Sequence, residues 1–367
     1  MNVMKNIAIV TECRRFVFNY GETLQAVALN KAVSNMGYNA FTISYEHQKD
    51  NFRWWFIPHW RQYYLRALKF EMFRQENCSN TIFRSDDKSS IEQFLSNMDA
   101  VVCGSDCIWY EKCYNSILFL NFPRLHIPKI AYAPSLRDSV SYDKGYQRKV
   151  ARWGRDFDYI STREIAGSKI VADLCKRKVV TVLDPTFLIE RAEWDKMSAK
   201  RIIKEPYIFI YALGRTTPLG SIVKQISEHY RINRIVWIKM ENNDGYCIGN
   251  AVLHVGPSEF ISLIKYSAAV ITDSFHGSVF SIIYNKPLYA IKRIIDEKDV
   301  YDNDARIKNI FEIMGINNYF SAEDDIDFAH CRIDYEQVNK KMTMEKLYSY
   351  AFLKDALDAS TAKEKTL

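Results

Sequence analysis

The feature of this sequence that most constrains its fold is a repeated alternation of short apolar runs with helical patterns. An apolar run at residues 6–12 precedes a helical pattern at about 21–36, and a second apolar run follows at 40–45. Gly37 is the expected end of that helix, because glycine readily adopts the left-handed conformation that follows helices. Continuous apolar runs of this length are typical of parallel strands buried on both faces. The opening therefore predicts a βαβ unit, the usual start of a doubly wound sheet.

The same alternation continues through the rest of the chain. Further strands are predicted at 100–103, 130–133, 159–161, 179–183, 207–212, 234–238, 269–272 and 288–291, with helices near 220–230, near 257–266 and from about 277. A charged stretch, 191–206, separates the two halves and is interpreted as a linker. The predicted fold class is therefore α/β, with two Rossmann-like domains, 1–190 and 207–325, facing across a cleft and a C-terminal helical tail, 326–367.

Length and composition agree with this organisation. A chain of 367 residues with 48% hydrophobic residues is long enough for two cores. It has no signal-peptide pattern and no apolar stretch long enough to span a membrane. Its eight scattered cysteines favour a reducing cytoplasm, and the spacing of Cys103, Cys107 and Cys113 fits no metal site. The net charge of +6 suits an anionic substrate or an acidic lipid surface, with no need for nucleic acid, and equally suits a mildly basic soluble protein.

One segment, 51–74, departs from the alternating pattern because aromatic and basic residues are interleaved along it. This composition is typical of a peripheral element at a membrane surface, here the inner face of the membrane. The alternative is an amphipathic insertion packed against its own domain or against a second subunit in an oligomer.

Several common catalytic motifs are missing. The sequence has no dinucleotide fingerprint, no Walker A loop, no H-E-x-x-H and no G-x-S-x-G. These absences argue against NAD, P-loop ATP chemistry, metalloproteases and α/β-hydrolases.

Six short motifs at predicted strand ends carry the functional signal. They are NYGETLQAVAL (19–29), VVCGSDCIW (101–109), IAYAPSL (130–136), ISTRE (160–164), LDPTFLI (183–189) and ITDSFHGSVFSIIYNKP (271–287). In this order, over residues 6–315, they resemble the polysaccharide pyruvyltransferase family.

The resemblance implies a GT-B-like fold, with phosphoenolpyruvate as donor, bound by the C-terminal domain, and a glycan or lipid-linked sugar as acceptor, on the N-terminal side. It also implies that no nucleotide or redox cofactor is used. The chain departs from the family at Cys107, where glutamine is usual, and at Ser278, where threonine is usual. Another branch has an arginine where this chain has Ser274, so arginine or lysine from elsewhere must meet the anionic groups of the donor.

His276 is the predicted general acid. It follows the strand 269–272 at the carboxyl edge of a parallel sheet, where ligands bind. Ketal formation requires protonation of the methylene carbon of phosphoenolpyruvate, and an imidazole exchanges protons near neutral pH. Ser274, Gly277 and Ser278 are small residues that leave the helix start open for an oxyanion. The alternative is a histidine that caps the helix or packs in the core.

Three arginines are candidate ligands for the anionic donor. Arg163 follows a short strand, and its planar guanidinium suits a carboxylate or phosphate, although an ion pair with Glu164 or Asp158 is an open alternative. Arg293 and Arg306 follow the histidine motif and are either donor ligands or solvated surface residues.

The N-terminal domain supplies the predicted acceptor residues. Asp106 is nominated to orient or deprotonate the acceptor hydroxyl, with Ser105 beside it in a glycine-serine turn; capping of the next helix is the alternative for Asp106. Asn19 and Gly21 are expected to shape the wall of the cleft. Asp184 is interpreted as structural, and Asp273 as either a helix cap or a site residue.

Two other functions remain open at this point. A GT-B glycosyltransferase would use a nucleotide-sugar donor in the same architecture, with Glu259 as its candidate ribose ligand. A non-catalytic glycan-binding subunit could retain the fold without activity.

Overall fold

The structure is a computed structural model. It describes residues 4–14, 18–46, 60–84, 87–113, 115–137, 143–214, 219–238, 249–252, 254–293, 304–321 and 323–362. The chain divides into two compact units. The N-terminal unit comprises Met1–Trp60, Phe70–Ile189 and Met344–Leu367, and the C-terminal unit comprises Arg61–Lys69 and Glu190–Thr343.

The N-terminal unit is built on a parallel sheet. Its strands are β1 (Asn6–Val10), β2 (Asn39–Glu46), β3 (Asn80–Arg84), β4 (Ala100–Cys103), β5 (Lys129–Ala131), β6 (Tyr159–Thr162) and β7 (Val180–Thr181). They lie in the order β3-β2-β1-β4-β5-β6-β7, and every pairing is parallel. The direction of the strand order reverses between β1 and β4, which places a topological switch point at that position.

In the described part of the chain, the α-helices that connect these strands are α1 (Tyr20–Asn35), α2 (Trp60–Asn77), α3 (Lys88–Ser96), α4 (Lys144–Gly154) and α5 (Ile165–Cys175). Helix α1 begins at Asn19, whose side chain accepts a hydrogen bond from the Glu22 N–H, as in a standard N-cap. It ends before Gly37, which has φ +91°. The predicted glycine stop is thereby confirmed.

The C-terminal unit repeats the same design. Its strands are β8 (Ile208–Tyr211), β9 (Ile235–Ile238), β10 (Asn250–Val252), β11 (Ala269–Thr272), β12 (Leu288–Ile291) and β13 (Tyr319–Phe320), in the parallel order β10-β9-β8-β11-β12-β13. Its helices are α6 (Arg191–Met197), α7 (Gly220–Tyr230), α8 (Pro257–Tyr266), α9 (Phe275–Ile283) and α10 (Ala305–Met314), and α11 (Tyr335–Ala362) then continues into the N-terminal unit. The switch point of this sheet lies between β8 and β11.

Each unit has its own apolar core. In the N-terminal unit, the rings of Trp109 and Phe119 stack with their centroids 5.1 Å apart, among buried side chains of β1, β4 and β5. In the C-terminal unit, alternate residues of β8, β11 and β12 pack against the buried face of α7. Strands β1, β4, β8, β11 and β12 are almost entirely buried, which explains why they read as unbroken apolar runs.

The predicted α/β fold with two Rossmann-like domains is confirmed. Strands β4, β11 and β12 and helices α7 and α8 have the predicted boundaries. Residues 191–206, interpreted as a linker, include helix α6, whose Trp194 is fully buried against Phe280. Helix α9 begins at Phe275, two residues earlier than predicted, because Ser274 provides its N-cap.

The described basic residues of helix α2 do not all lie on one exposed face. Residues 51–59 lie outside the described part of the chain. In α2, Arg66 and Arg74 are buried, and Arg74 pairs with Glu71 at 2.9 Å. Among the side chains of α2 that the structure describes, the exposed large apolar ones are Tyr64, Leu65, Leu68 and Met72. Membrane contact through this segment stays a prediction.

Candidate functional site

Both switch points bring strand-end motifs together. In an open parallel sheet, ligands bind outside the carboxyl ends of the strands at the point where the strand order reverses. The loops after β8 and β11 meet there in the C-terminal unit, and those after β1 and β4 meet there in the N-terminal unit. Each edge is described separately below.

Asp273 organises the edge of the C-terminal sheet. It follows β11, and its carboxylate accepts the N–H groups of Leu213 and Gly214, both at 2.7 Å. These two residues belong to the loop after β8, so a single carboxylate joins the two loops of the switch point. Asp273 is 1% exposed. It acts here as a loop clamp, and Ser274 serves as the cap of α9.

Arg293 completes this clamp from the end of β12. Its Nε lies 3.3 Å from Asp273 Oδ2, and its Nη2 donates to the Asp273 backbone oxygen at 2.7 Å. The Arg306 guanidinium lies 5.9 Å from the centroid of the Phe275 ring. The side chain of Arg293 is 9% exposed, and Arg306 is 8% exposed. Neither arginine is the solvated surface residue that the sequence left open.

His276 lies in the first turn of α9, beside this clamp. It is 5% exposed, and its ring meets that of Phe275 edge-on with the centroids 5.1 Å apart. The cap of the helix is Ser274, whose Oγ accepts the Gly277 N–H at 3.3 Å. The histidine therefore does not cap the helix.

Two small residues allow α9 to start close to the sheet. A Cβ on Gly277 would lie 2.3 Å from the Thr272 Oγ1, so only glycine lets the first turn pack on the end of β11. The Oγ of Ser278 is buried and has no hydrogen-bond partner among the residues that the structure describes. Buried hydroxyl groups normally have partners, so this oxygen is available to a bound group.

A buried charge cluster occupies the corresponding edge of the N-terminal unit. The Arg163 guanidinium binds Asp184 at 2.7 Å, Glu164 at 3.1 Å and Asp106 at 3.4 Å. Arg163 is 3% exposed. Burial lowers the pKa of Arg163, but the carboxylates of Glu164, Asp184 and Asp106 outweigh it and raise that pKa above its usual value. The guanidinium thus stays charged, and carboxylates of the same unit already surround it.

This cluster contains one of the two ion pairs considered for Arg163. The ion pair with Glu164 is present, whereas Asp158 instead accepts the backbone N–H of Lys129 at 2.9 Å. Asp184 also caps the turn Pro185–Phe187 through the Thr186 N–H. Asp184 therefore has the structural role expected from the sequence and is also the closest partner of Arg163.

Asp106 occupies an unusual backbone conformation in this cluster. It has φ +67° and ψ −169°, a region that residues other than glycine rarely adopt. Its carbonyl oxygen accepts the Ser135 N–H at 2.7 Å and the Ile108 N–H at 2.8 Å, which hold the conformation. Its side chain makes no cap hydrogen bond to the following 3-10 turn. Strained backbone of this kind concentrates at functional sites.

Ser105 links the loops of the N-terminal switch point. It is fully buried, its Oγ donates to Ala133 O at 2.8 Å, and its N–H donates to Gln25 Oε1 at 3.1 Å. Gln25 in turn donates to Thr11 Oγ1 at 2.9 Å, in the loop after β1. Ser105 therefore holds the loops after β1, β4 and β5 together.

Glu22 is the residue that the sequence-level nominations missed. It lies in the first turn of α1, after Asn19 and the buried Gly21, and accepts the Arg14 N–H at 2.8 Å. Burial raises the pKa of Glu22, the charge and hydrogen bonds of Arg14 lower it, and Asp106 raises it further, with a raised pKa as the net result. Its place in the NYGETLQ motif was the available signal.

The candidate ribose ligand has a structural role in the C-terminal unit. Glu259, the candidate ribose ligand of a glycosyltransferase, accepts the Gly256 N–H at 3.0 Å and pairs with Lys69. It is therefore used in capping helix α8.

Within the described ranges, no group of three His, Cys, Asp or Glu residues could hold a metal ion.

The fold is similar to that of several sugar-processing enzymes. UDP-GlcNAc 2-epimerase from Methanocaldococcus jannaschii has a TM-score of 0.55 and 13% identity, with 92% of each chain covered. A putative UDP-N-acetylglucosamine 2-epimerase from Listeria monocytogenes has a TM-score of 0.56 and 12% identity, with both chains fully covered. Arabidopsis thaliana UGT89C1 has a TM-score of 0.55 and 11% identity, covering 98% of this chain and 100% of that chain. At these identities the likeness shows the fold alone, which is GT-B-like.

The sequence itself matches one family model. The model described as polysaccharide pyruvyl transferase matches residues 19–293, which include the loop motifs of both switch points. No curated protein matches the chain. In the described part of the chain, none of the helices combines the length and apolar character needed to cross a membrane. Because the matched region covers most of the sequence, the chain belongs to the polysaccharide pyruvyl transferase family.

Proposed function

We propose that this protein transfers the enolpyruvyl group of phosphoenolpyruvate to a sugar of a polysaccharide or lipid-linked glycan precursor. A proton adds to the methylene carbon, and a sugar hydroxyl oxygen bonds to the neighbouring carbon. Phosphate leaves with the electrons of the carbon–oxygen bond, and a second hydroxyl closes the ketal ring. The sugar releases two hydroxyl protons in this reaction. One offsets the proton that was added to form the methyl group, and the other protonates the departing phosphate.

The observation that carries this proposal is the position of His276. It lies in the first turn of α9, at the switch point where Asp273 holds the loop after β8. A helix N-terminus favours anions, and an imidazolium beside a phosphate can deliver a proton to the adjacent carbon. We assign His276 as the general acid.

The donor's anionic groups require cations near the same turn. The Arg306 guanidinium lies over the ring of Phe275, the neighbour of His276. Arg293 is held by the carboxylate of Asp273. We assign Arg306 to the donor and Arg293 to the support of the loop clamp. Ser278 Oγ, buried two residues after His276, is the proposed uncharged donor ligand.

Asp106 is the proposed acceptor-binding carboxylate of the N-terminal unit. Its carboxylate lies 3.4 Å from the Arg163 guanidinium, and a carboxylate can accept the proton of a sugar hydroxyl. In this assignment Arg163 is a positioning residue and does not bind the donor. The cytoplasm as the place of action and the oligomeric state stay predictions.

The proposal is tested by phosphate release from phosphoenolpyruvate with galactose- and mannose-containing acceptors. Wild-type protein should release phosphate only when a suitable acceptor is present, and His276→Ala should lower kcat by about 10²–10⁴-fold, the usual contribution of a general acid. His126→Ala is the control, because His126 is an exposed histidine of the N-terminal unit to which no role is assigned. Equal rates for His276→Ala and wild type would refute the assignment.

A further inference from the structure

A cavity of about 870 Å³ opens in the C-terminal unit away from His276. His229 and Tyr230 border it from the end of α7, and Asn285 borders it from the turn that precedes β12. These positions lie at the amino ends of the parallel strands, whereas His276 follows β11 at their carboxyl ends. The cavity is therefore separate from the proposed reacting site, and its volume is that of a typical ligand pocket.

Aromatic side chains form much of its wall. The rings of His229 and Phe328 are nearly parallel, with centroids 3.9 Å apart, and Tyr289 lies 6.1 Å from Phe328. The hydroxyl groups of Tyr230 and Tyr289 are 3.0 Å apart. Rigid aromatic surfaces with hydroxyl groups at their edges suit a ligand that has both apolar C–H faces and polar groups.

One polar atom of the wall lacks an internal partner. The Oδ1 of Asn285 is buried and accepts no hydrogen bond within the described part of the chain. A buried amide oxygen normally has a partner, so a ligand hydroxyl in this cavity would satisfy it. Asn285 has φ +52°, a conformation that asparagine and aspartate tolerate better than most residues.

The charges at the rim favour a monoanion. Arg332 is exposed and forms no ion pair or hydrogen bond with the residues described here. The two neighbouring carboxylates are already engaged: Asp334 accepts the Glu336 N–H at 3.0 Å, and Glu336 pairs with Lys340 at 2.7 Å. A planar guanidinium without an internal partner is suited to a carboxylate, while the nearby acids disfavour a multiply charged ligand.

We propose that this cavity binds a saccharide unit that carries a carboxylate. The aromatic wall contacts the C–H faces of the sugar ring, Asn285 accepts a hydroxyl proton, and Arg332 binds the carboxylate. This is a second binding site, and it does not depend on the assignment of His276.

The test compares two sugars that differ only in the carboxylate. Binding of methyl β-D-glucuronide and methyl β-D-glucoside to the full chain is measured by calorimetry and by ligand-observed NMR. The glucuronide should bind with a Kd on the order of millimolar, as expected for a ligand of this size. The glucoside should bind about tenfold more weakly, the change expected for one charge-assisted interaction.

Two variants locate the site. Arg332→Gln should reduce glucuronide affinity about tenfold, to that of the glucoside. Asn285→Asp tolerates the same backbone conformation but places a negative charge near the ligand, so it should also weaken glucuronide binding. The matched control is Arg234→Gln, since Arg234 is an exposed arginine of the same unit that pairs with Glu205.

Several results would overturn the proposal. They are equal affinity for the two sugars, no binding of either, unchanged binding in Arg332→Gln, or inorganic phosphate binding as tightly as the glucuronide. Displacement of the glucuronide by phosphoenolpyruvate would also contradict it, because the two sites are distinct. Binding is measured without turnover, so failure here leaves the proposed pyruvyl transfer untouched.

Discussion

Replacement of Arg163 by methionine should destabilise the N-terminal unit without preventing donor binding. The substitution leaves the carboxylates of Asp184, Glu164 and Asp106 facing one another in a buried site from which their shared cation is gone. Removal of one partner of a buried ion pair costs about 3–5 kcal/mol. Methionine fills a similar volume, so this cost comes from charge and not from a cavity.

The loss can be measured by urea unfolding. With a denaturant slope of roughly 2–3 kcal/mol per molar, the midpoint should fall by about 1–2 M. Hydrogen exchange of peptides from β6 and α5 should place the loss in the N-terminal unit. Arg148→Met is the control, because Arg148 lies on the exposed face of α4 and donates to the Lys144 backbone oxygen at 3.2 Å. Its free energy of unfolding should change by less than about 0.5 kcal/mol.

A second substitution, Arg163→Lys, separates the structural role of this residue from donor binding. If Arg163 positions Asp106, then Arg163→Lys, which keeps a charge but loses the planar fork, should lower kcat while the KM for phosphoenolpyruvate stays near that of wild type. A midpoint within about 0.3 M of wild type for Arg163→Met, corresponding to less than ~1 kcal/mol, would refute the reasoning. A tenfold rise in KM for phosphoenolpyruvate in Arg163→Lys would return this residue to the donor site.

Three further predictions concern single positions. Gly104→Ala should lower the free energy of unfolding by more than about 3 kcal/mol, because the new Cβ would lie 1.9 Å from the Tyr132 carbonyl oxygen and Gly104 has φ +136°. Gly220→Ala is the control: its Cβ would have nothing within 4 Å, so urea unfolding should be unchanged. Burial raises the pKa of Glu22 above its ordinary value, so the folded state binds more protons than the unfolded chain. The contribution of Glu22 to stability is therefore full below the ordinary carboxyl pKa and is lost as pH rises through the folded pKa, and Glu22→Gln should remove this decline in unfolding titrations. Asp273→Asn should release the loop after β8, because the Asp273 carboxylate accepts two N–H groups of that loop. The variant should show faster hydrogen exchange in the loop and a kcat at least tenfold lower. Unchanged exchange would contradict the role of Asp273 as a loop clamp.

Much of the fold was predictable because its strands are buried on both faces. The runs that became β4, β11 and β12 are apolar throughout, so periodicity identified them directly. Strands β3, β10 and β13 were missed, and all three lie at sheet edges. Strands β3 and β10 also carry polar or exposed residues, such as Asn80 and Asn250, and β13 has only two residues. Edge strands are short and polar, and local pattern does not distinguish them from loops.

The site was predictable only in part. Strand-end position identified His276, Asp106 and Ser105 as residues of the two switch points. Local sequence does not show which carboxylates surround Arg163, because Asp106 and Asp184 lie 57 and 21 residues away along the chain. The double role of Asp273 depends in the same way on a loop 60 residues earlier. Such partners are set by sheet order, which short-range patterns do not encode.

The most direct test of the central claim is the analysis of product formed from phosphoenolpyruvate and a competent acceptor in heavy water. The account predicts a sugar-linked pyruvate ketal with one deuterium in its methyl group, and one phosphate released per ketal. Ketal formation and phosphate release should both be lost in His276→Ala. A glycoside product formed from a nucleotide sugar, or a ketal whose methyl group carries no deuterium, would contradict it.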